Sequence, residues 1–205
     1  MKAWLGRVIL LLSITAVFTS CDEDVETPEP IHSPYAPPTA PESLITNLQL
    51  SYRRREIKEY AKLLAPEFVF KFQPIDANDI GTQFWTRAQD STGTRALLTA
   101  TLVSEIKISL LYGARDTTVN FHGTPLDSLK IRIINTNLRV DQTDGITWLI
   151  TDQQDFFFRQ GKVQNGEDPT HWFIYEWDDL PTLSRPGFSV NPATWGKLKL
   201  LYKGG

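Results

Sequence analysis

Residues 47–72, NLQLSYRRREIKEYAKLLAPEFVFKF, change hydrophobic period once, and that change sets the architecture of the chain. Leu48, Tyr52, Ile57, Tyr60, Ala61 and Leu64 continue a stripe begun at Leu44 and Ile45, at the three- and four-residue spacing of a helix. Pro41 suits the first turn of that helix. The run Arg53 to Glu56 interrupts the apolar side and reads as a solvated face. Pro66 is expected to stop the helix. Between Glu67 and Gln73 the period falls to two, so Phe68, Phe70 and Phe72 share one face of a short strand.

Downstream, residues 82–99 carry Phe84, Trp85, Ala88, Leu97 and Leu98, which predicts a helix broken near Gly93. Everything after that reads as β. Ile106, Ile108, Leu110 and Tyr112 alternate on one face. Leu129, Ile131 and Ile133 alternate and then give way to Leu138 and Val140 in the other parity, which predicts a bulge around Ile134 to Thr136. Thr143 to Gly145 is a hairpin signal. Ile146 to Arg159 reads as the partner strand, and His171 to Asp179 as the last one, with His171, Phe173, Tyr175 and Trp177 on one side. Asp178 and Asp179 then point to opposite faces and cannot jointly flank a substrate. The expected fold is α+β, with two or three N-terminal helices packed on a strongly curved antiparallel sheet.

Tyr60, Leu63, Leu64, Ala65, Phe68 and Phe70 fit a pattern close to Y-x-x-L-(F/L)-A-x-x-F-x-F, and HWFIYEWDD closes the domain. In these features residues 42–180 resemble nuclear transport factor 2-like, or SnoaL-like, domains. The resemblance implies a cone-shaped α+β barrel with a pocket between sheet and helices. It implies no single function, because such domains include isomerases, dehydratases, cyclases, hydrolases and members without catalysis. Tyr52, Phe68, Phe70, Phe72, Trp85, Phe173, Tyr175 and Trp177 are the expected pocket lining. The general-base Asp of ketosteroid isomerase-like members falls, without gaps, on Phe72, which cannot accept a proton. Asp155, beside Phe156 to Phe158, and His171, at the start of the last strand, are the remaining candidates for acid–base work. Tyr52, Tyr60 and Tyr175 are candidate donors to an oxyanion.

The N-terminus carries a separate message. Lys2 and Arg7 precede an apolar run of 11 residues, Val8 to Phe18, then Thr19, Ser20 and the single cysteine, Cys21. A membrane span needs about 20 residues, so this is the pattern of a secretory signal. With Phe18, Thr19 and Ser20 before the thiol, it resembles a bacterial lipobox. That implies cleavage after residue 20, acylation of Cys21 and anchorage to a membrane of the cell envelope. Residues 22–41 hold six of the thirteen prolines and five carboxylates, the composition of an extended tether. Residues 181–205 are left as a C-terminal extension.

Composition narrows the rest. Without residues 1–20 the chain has 19 basic and 24 acidic side chains, a net charge of −5, which disfavours nucleic acid. His32, His122 and His171 lie far apart, and no glycine-rich phosphate loop occurs, so neither metal nor cofactor is expected. Three readings follow. The first is a lipid-anchored domain binding a small apolar ligand or a protein partner without catalysis. The second is an isomerase- or dehydratase-type enzyme. The third is a structural lipoprotein acting as a homodimer.

Overall fold

The computed structural model describes residues 33–116, 128–181 and 191–203. The signal-like segment, Cys21 and, of the tether expected over residues 22–41, the part up to residue 32 lie outside the described residues, as do His32 and His122. Among the described residues no helix is long and apolar enough to cross a membrane.

Helix α1 (Pro41–Arg54) buries Leu44, Ile45, Leu48 and Tyr52, the expected stripe. The helix does not run on to Leu64. Arg55 adopts the left-handed conformation (φ 59°) and separates α1 from α2 (Ile57–Lys62). The RRRE run is solvated only in part: Arg53 and Arg54 are exposed, and Arg55 and Glu56 are half-buried. The Arg55 guanidinium donates to the carbonyls of Leu98 and Ala100 at 2.6 Å and of Val103 at 2.8 Å. Arg53 donates to Ile108 O at 2.7 Å.

Strand β1 (Leu64–Lys71) starts before Pro66 instead of after it. Pro66 has no N–H to donate, and it lies where β1 is still an edge. The neighbouring strand β2 (Phe84–Thr86) pairs only with Val69 to Lys71. Between them lies the short helix α3 (Pro74–Ile80). The expected helix over residues 82–99 is confined to α4 (Arg87–Thr99), opened by a capping box in which Thr86 N–H donates to Gln89 Oε1 at 2.9 Å. Gly93 does not break it.

Strands β3 (Val103–Asp116) and β4 (Ser128–Gln142) form a long antiparallel ribbon. Leu111 pairs with Asn135 and Tyr112 with Ile133, so Ile134 is the extra residue of the expected bulge. There β4 changes partner. Leu129 to Ile133 pair with β6 (Gln154–Gln160), and Leu138 to Asp141 pair with β5 (Thr147–Ile150). The predicted single strand from Ile146 to Arg159 is thus divided at Thr151 to Gln153, and Thr136 N–H donates to Asp152 O across the break. The hairpin at Thr143 to Gly145 forms, with Gly145 at φ 86°.

Strand β7 (Trp172–Asp179) runs antiparallel to β6 and parallel to β1, and the two-residue strand β8 (Asn191–Pro192) lies parallel to β5. The sheet is therefore mixed at two places, in the order β2-β1-β7-β6-β4-β5-β8 with β3 on β4. It is the strongly curled sheet of a cone-shaped α+β fold. A last helix, α5 (Trp195–Lys203), stands where no helix was expected.

Residues 33–40 do not belong to the free tether. Pro38 O accepts from Trp172 N–H at 2.7 Å, and Asn47 exchanges hydrogen bonds of 2.9 and 2.8 Å with the Ala36 backbone.

Candidate functional site

Strand alternation, helix spacing and one late helix together decide what occupies the concave side of the sheet. From β1 come Phe68 and Phe70, from just beyond it Phe72, from β2 Trp85, from β6 Phe156 and Phe158, and from β7 Trp177. All are buried. Helices α1 and α2 add Tyr52 and Tyr60, neither of them exposed. Of these, Tyr52, Phe68, Phe70, Phe72, Trp85 and Trp177 belong to the expected pocket lining; Phe68 and Phe72 border surface clefts, and the others are packed against the chain's own side chains. Helix α5 enters the space and buries Trp195, Leu198 and Lys199 completely. The Trp195 ring meets those of Trp177 and Tyr52 at centroid separations of 4.7 and 5.5 Å. Phe70 meets Trp177 and Phe72 at 5.3 and 5.1 Å, and Phe72 meets Trp85 at 4.9 Å. Edge-to-face packing at these separations is the preferred arrangement of aromatic quadrupoles.

Two glycines permit this entry. A Cβ on Gly196 would stand 2.5 Å from Phe72 Cδ1, and one on Gly93 would stand 3.0 Å from Trp85 Cζ3. Glycine at 93 lets α4 lie against α5, where a Cβ would be 3.4 Å from that of Lys199, and glycine at 196 lets α5 lie against Phe72.

A charged pair lies inside this aromatic packing. Lys199 Nζ donates to Asp90 Oδ1, and Tyr60 O–H donates to the other oxygen, Oδ2. Lys199 and Asp90 are both fully buried. The ammonium sits 4.3 Å from the Phe70 ring centroid and 4.6 Å from that of Trp177. Burial lowers the Lys199 pKa, opposed by the Asp90 carboxylate, and burial raises that of Tyr60.

Nearer the end of β7 is a second polar group. Trp177 Nε1 donates to Gln154 Oε1 at 2.6 Å, and Gln154 Nε2 donates to Asp179 Oδ1 at 2.8 Å. Burial pushes the Asp179 carboxyl up to about 7. A surface pocket of about 180 Å³ adjoins this group, lined by Asp76, Asp79, Asp152, Thr194 and Lys197 among others. Among the described residues no set of three or more His, Cys, Asp or Glu side chains is placed to hold a metal ion.

The acid–base candidates lie elsewhere. Asp155 alternates with the inward Gln154 and Phe156 and therefore faces outward, where Arg132 donates to both its oxygens at 2.7 Å. Lys130 stands 3.8 Å away. A carboxylate held in this way is an ion-pair partner on the convex side, not a base aimed into the cone. His171 is partly exposed in the loop before β7, 3.7 Å from Asp168. Phe173 and Tyr175 are corrections too. The β6–β7 register slips between Phe157 and Phe158, opposite Glu176 and Ile174, which places the extra residue at Tyr175. Ile174 and Trp177 then face inward. Phe173 packs under Arg159 and Tyr175 beside Phe157 on the outer face.

That outer face carries alternating charge. Lys71 lies 2.5 Å from Glu176 and 3.6 Å from Asp178, which occupies the face opposite Asp179 as expected. Arg159 holds Glu67 at 2.6 Å and Glu167 at 2.7 Å. Larger clefts open at the surface, one of about 580 Å³ between β1 and α4 and one of about 590 Å³ beside α3.

No protein-family model matches the sequence, and no curated protein matches it. Solved structures do match. A conserved protein from Planctomyces limnophilus is 12% identical with a TM-score of 0.52, over 68% of this chain and 91% of that one. A candidate aromatic ring hydroxylase from Novosphingobium aromaticivorans is 13% identical with a TM-score of 0.50, over 72% and 90%. A candidate calcium/calmodulin-dependent protein kinase II association domain from Xanthomonas campestris is 13% identical with a TM-score of 0.50, over 73% and 94%. At these identities the likeness is one of fold, the α+β cone.

Proposed function

We propose that the chain is a bacterial envelope lipoprotein, acylated on Cys21, whose domain is a non-catalytic module that binds a protein partner. The observation that carries this reading is the filling of the concave side by Trp177, Trp195 and Lys199, all with no exposed surface. A small apolar ligand needs space at that place, and the chain's own C-terminal helix takes it. The outer sheet face supports a protein partner. Its half-buried Tyr175 and Phe173 lie among fixed charges, an aromatic and ionic surface of the kind that partners recognise.

Two experiments test the two halves. Cys21→Ser should move the protein from the membrane to the soluble fraction and end incorporation of labelled fatty acid. An unchanged distribution would overturn the anchor. A photoreactive side chain at position 175, on the outer face, should give a discrete cross-linked product in intact envelopes. The same group at the exposed position 58 of α2 should not. Equal products, or none, would sink the outer-face reading, and a product of twice the chain mass would identify the partner as a second copy.

A further inference from the structure

Lys199 and Asp90 are a fully buried pair of charges that the core packing does not require. A buried ion pair is commonly no more stable than well-packed apolar side chains of the same volume. The surroundings of the ammonium have a form of their own. Rings from three separate elements face it, Phe70 of β1 at 4.3 Å, Trp177 of β7 at 4.6 Å and Tyr60 of α2 at 5.8 Å. Asp90 of α4 supplies the counter-charge. Aromatic faces around a desolvated cation, with one carboxylate, are the chemistry that recognises an organic ammonium ion.

None of these four groups belongs to the helix that carries the lysine. The Asp90 carboxylate is held by Tyr60 as well, through its second oxygen. Helix α5 contributes no strand to the sheet, and it reaches the cage from the end of the chain. All four groups are thus carried by the scaffold, with Trp195 of α5 packed on Trp177, and α5 inserts a four-methylene alkylammonium among them.

We propose that Tyr60, Phe70, Asp90 and Trp177 form a binding site for a primary alkylammonium group, which Lys199 occupies as an exchangeable intramolecular ligand. A free amine of about the same length competes with Lys199 for Asp90 and the rings, and its binding releases α5 from the cone. The site shares no residue with the outer sheet face, although Trp177 and Lys199 also fill the cone in the reading above; cross-linking from position 175 tests that face without involving α5.

The test uses the full-length chain with n-butylammonium as probe and n-butanol as its uncharged counterpart. In calorimetry, Lys199→Ala should bind n-butylammonium saturably at least tenfold more tightly than the wild type does, and n-butanol should not bind. Asp90→Asn added to Lys199→Ala should abolish the binding. In the wild type, saturating n-butylammonium should raise hydrogen exchange at the backbone amides of residues 195–203 several-fold. If Lys199→Ala does not fold by itself, it should refold in n-butylammonium and not in n-butanol. The proposal is overturned if neither chain binds the amine, if binding survives Asp90→Asn, or if α5 exchange is unchanged at saturation. Refolding that succeeds equally in n-butanol would also overturn it, because the site would then recognise volume and not charge.

Discussion

Gly93 of α4 stands against Lys199 of α5 so closely that a Cβ on the glycine would lie 3.4 Å from the lysine Cβ. The Trp85 ring closes the other side at 3.0 Å. Glycine in a helix interior ordinarily costs about 1 kcal/mol relative to alanine, so its presence here reflects the approach of α5. Gly93→Leu should therefore destabilise the domain by about 1–3 kcal/mol, the usual cost of overpacking a core. A leucine at an exposed helix position such as Arg95 would be close to neutral. Urea denaturation of the two variants checks this. Equal midpoints would mean that α5 does not press on α4.

Arg55 combines two unusual features, a positive φ of 59° and three hydrogen bonds to carbonyls around the end of α4. It binds carbonyls at the helix terminus and the start of β3, of which Ala100 O also accepts from Val103 N–H. Arg55→Ala should cost about 2–4 kcal/mol, since each hydrogen bond from a charged donor contributes about 1.5–3 kcal/mol before screening. Arg55→Lys should recover less than half of the loss, because an ammonium cannot span three carbonyls as a planar fork does. Full recovery by lysine would show that charge alone is what the position supplies.

How far the sequence reports this structure depends on where the signal is local. The alternation of Phe68, Phe70 and Phe72 reported β1, and the parity change after Ile133 reported the bulge, because both are properties of one strand. The face of Tyr175 was not legible. It depends on a slip between β6 and β7 that no periodicity within β7 records. Helix α5 was missed because it is nine residues long and carries lysines at 197, 199 and 203, one of which is buried. A usable signal did exist in α4. Asp90, Gly93, Thr94 and Leu97 fall at helical spacing and are all buried, so the stripe facing the core carries an acid, a glycine and a hydroxyl. Polar and minimal residues at core positions imply a partner that brings both bulk and a positive charge, and α5 is that partner.

Asp155 offers a direct contrast between the enzyme reading and the structural one. It is nearly buried, but Arg132, which pairs with both its oxygens, is about half exposed. Removing the acid leaves a cation that water can solvate. Asp155→Asn should therefore cost only about 0.5–1 kcal/mol in thermal or urea unfolding, the range of a well-formed but screened ion pair. A loss above about 3 kcal/mol would mean that Arg132 is desolvated in solution, as it would be beneath a partner or a second copy.

The pH dependence of stability follows from carboxyl groups displaced in opposite directions. Burial pushes Asp179 up to about 7 and Asp178 up to about 6, and it raises Asp76 as well, from an ordinary value of 3.8. Around Asp179 stand Gln154, the Gly196 N–H, Asp152 and Asp76. At Glu67 burial acts upward, but the Arg159 guanidinium outweighs it and holds the carboxyl at about 2. For the raised group, the folded chain keeps a proton that the unfolded chain has lost between about pH 4 and pH 7. Its contribution is full below pH 4 and declines as pH rises to about 7, by about 1.4 kcal/mol for each pKa unit of difference. For Glu67 the contribution is present above about pH 4.5 and declines as pH falls toward 2. The two trends place maximum stability near pH 4–5, below the usual range for globular domains. In Asp179→Asn the amide oxygen still accepts from Gln154, and nothing ionises at that position. The fall in stability from pH 5 to pH 8 should shrink, leaving the variant more stable than the wild type at pH 8 and not at pH 4. Urea unfolding free energies for both chains at pH 4, 5, 6, 7 and 8 measure this. Parallel curves would mean that Asp179 ionises in the folded state as readily as in the unfolded chain, with water reaching the end of β7.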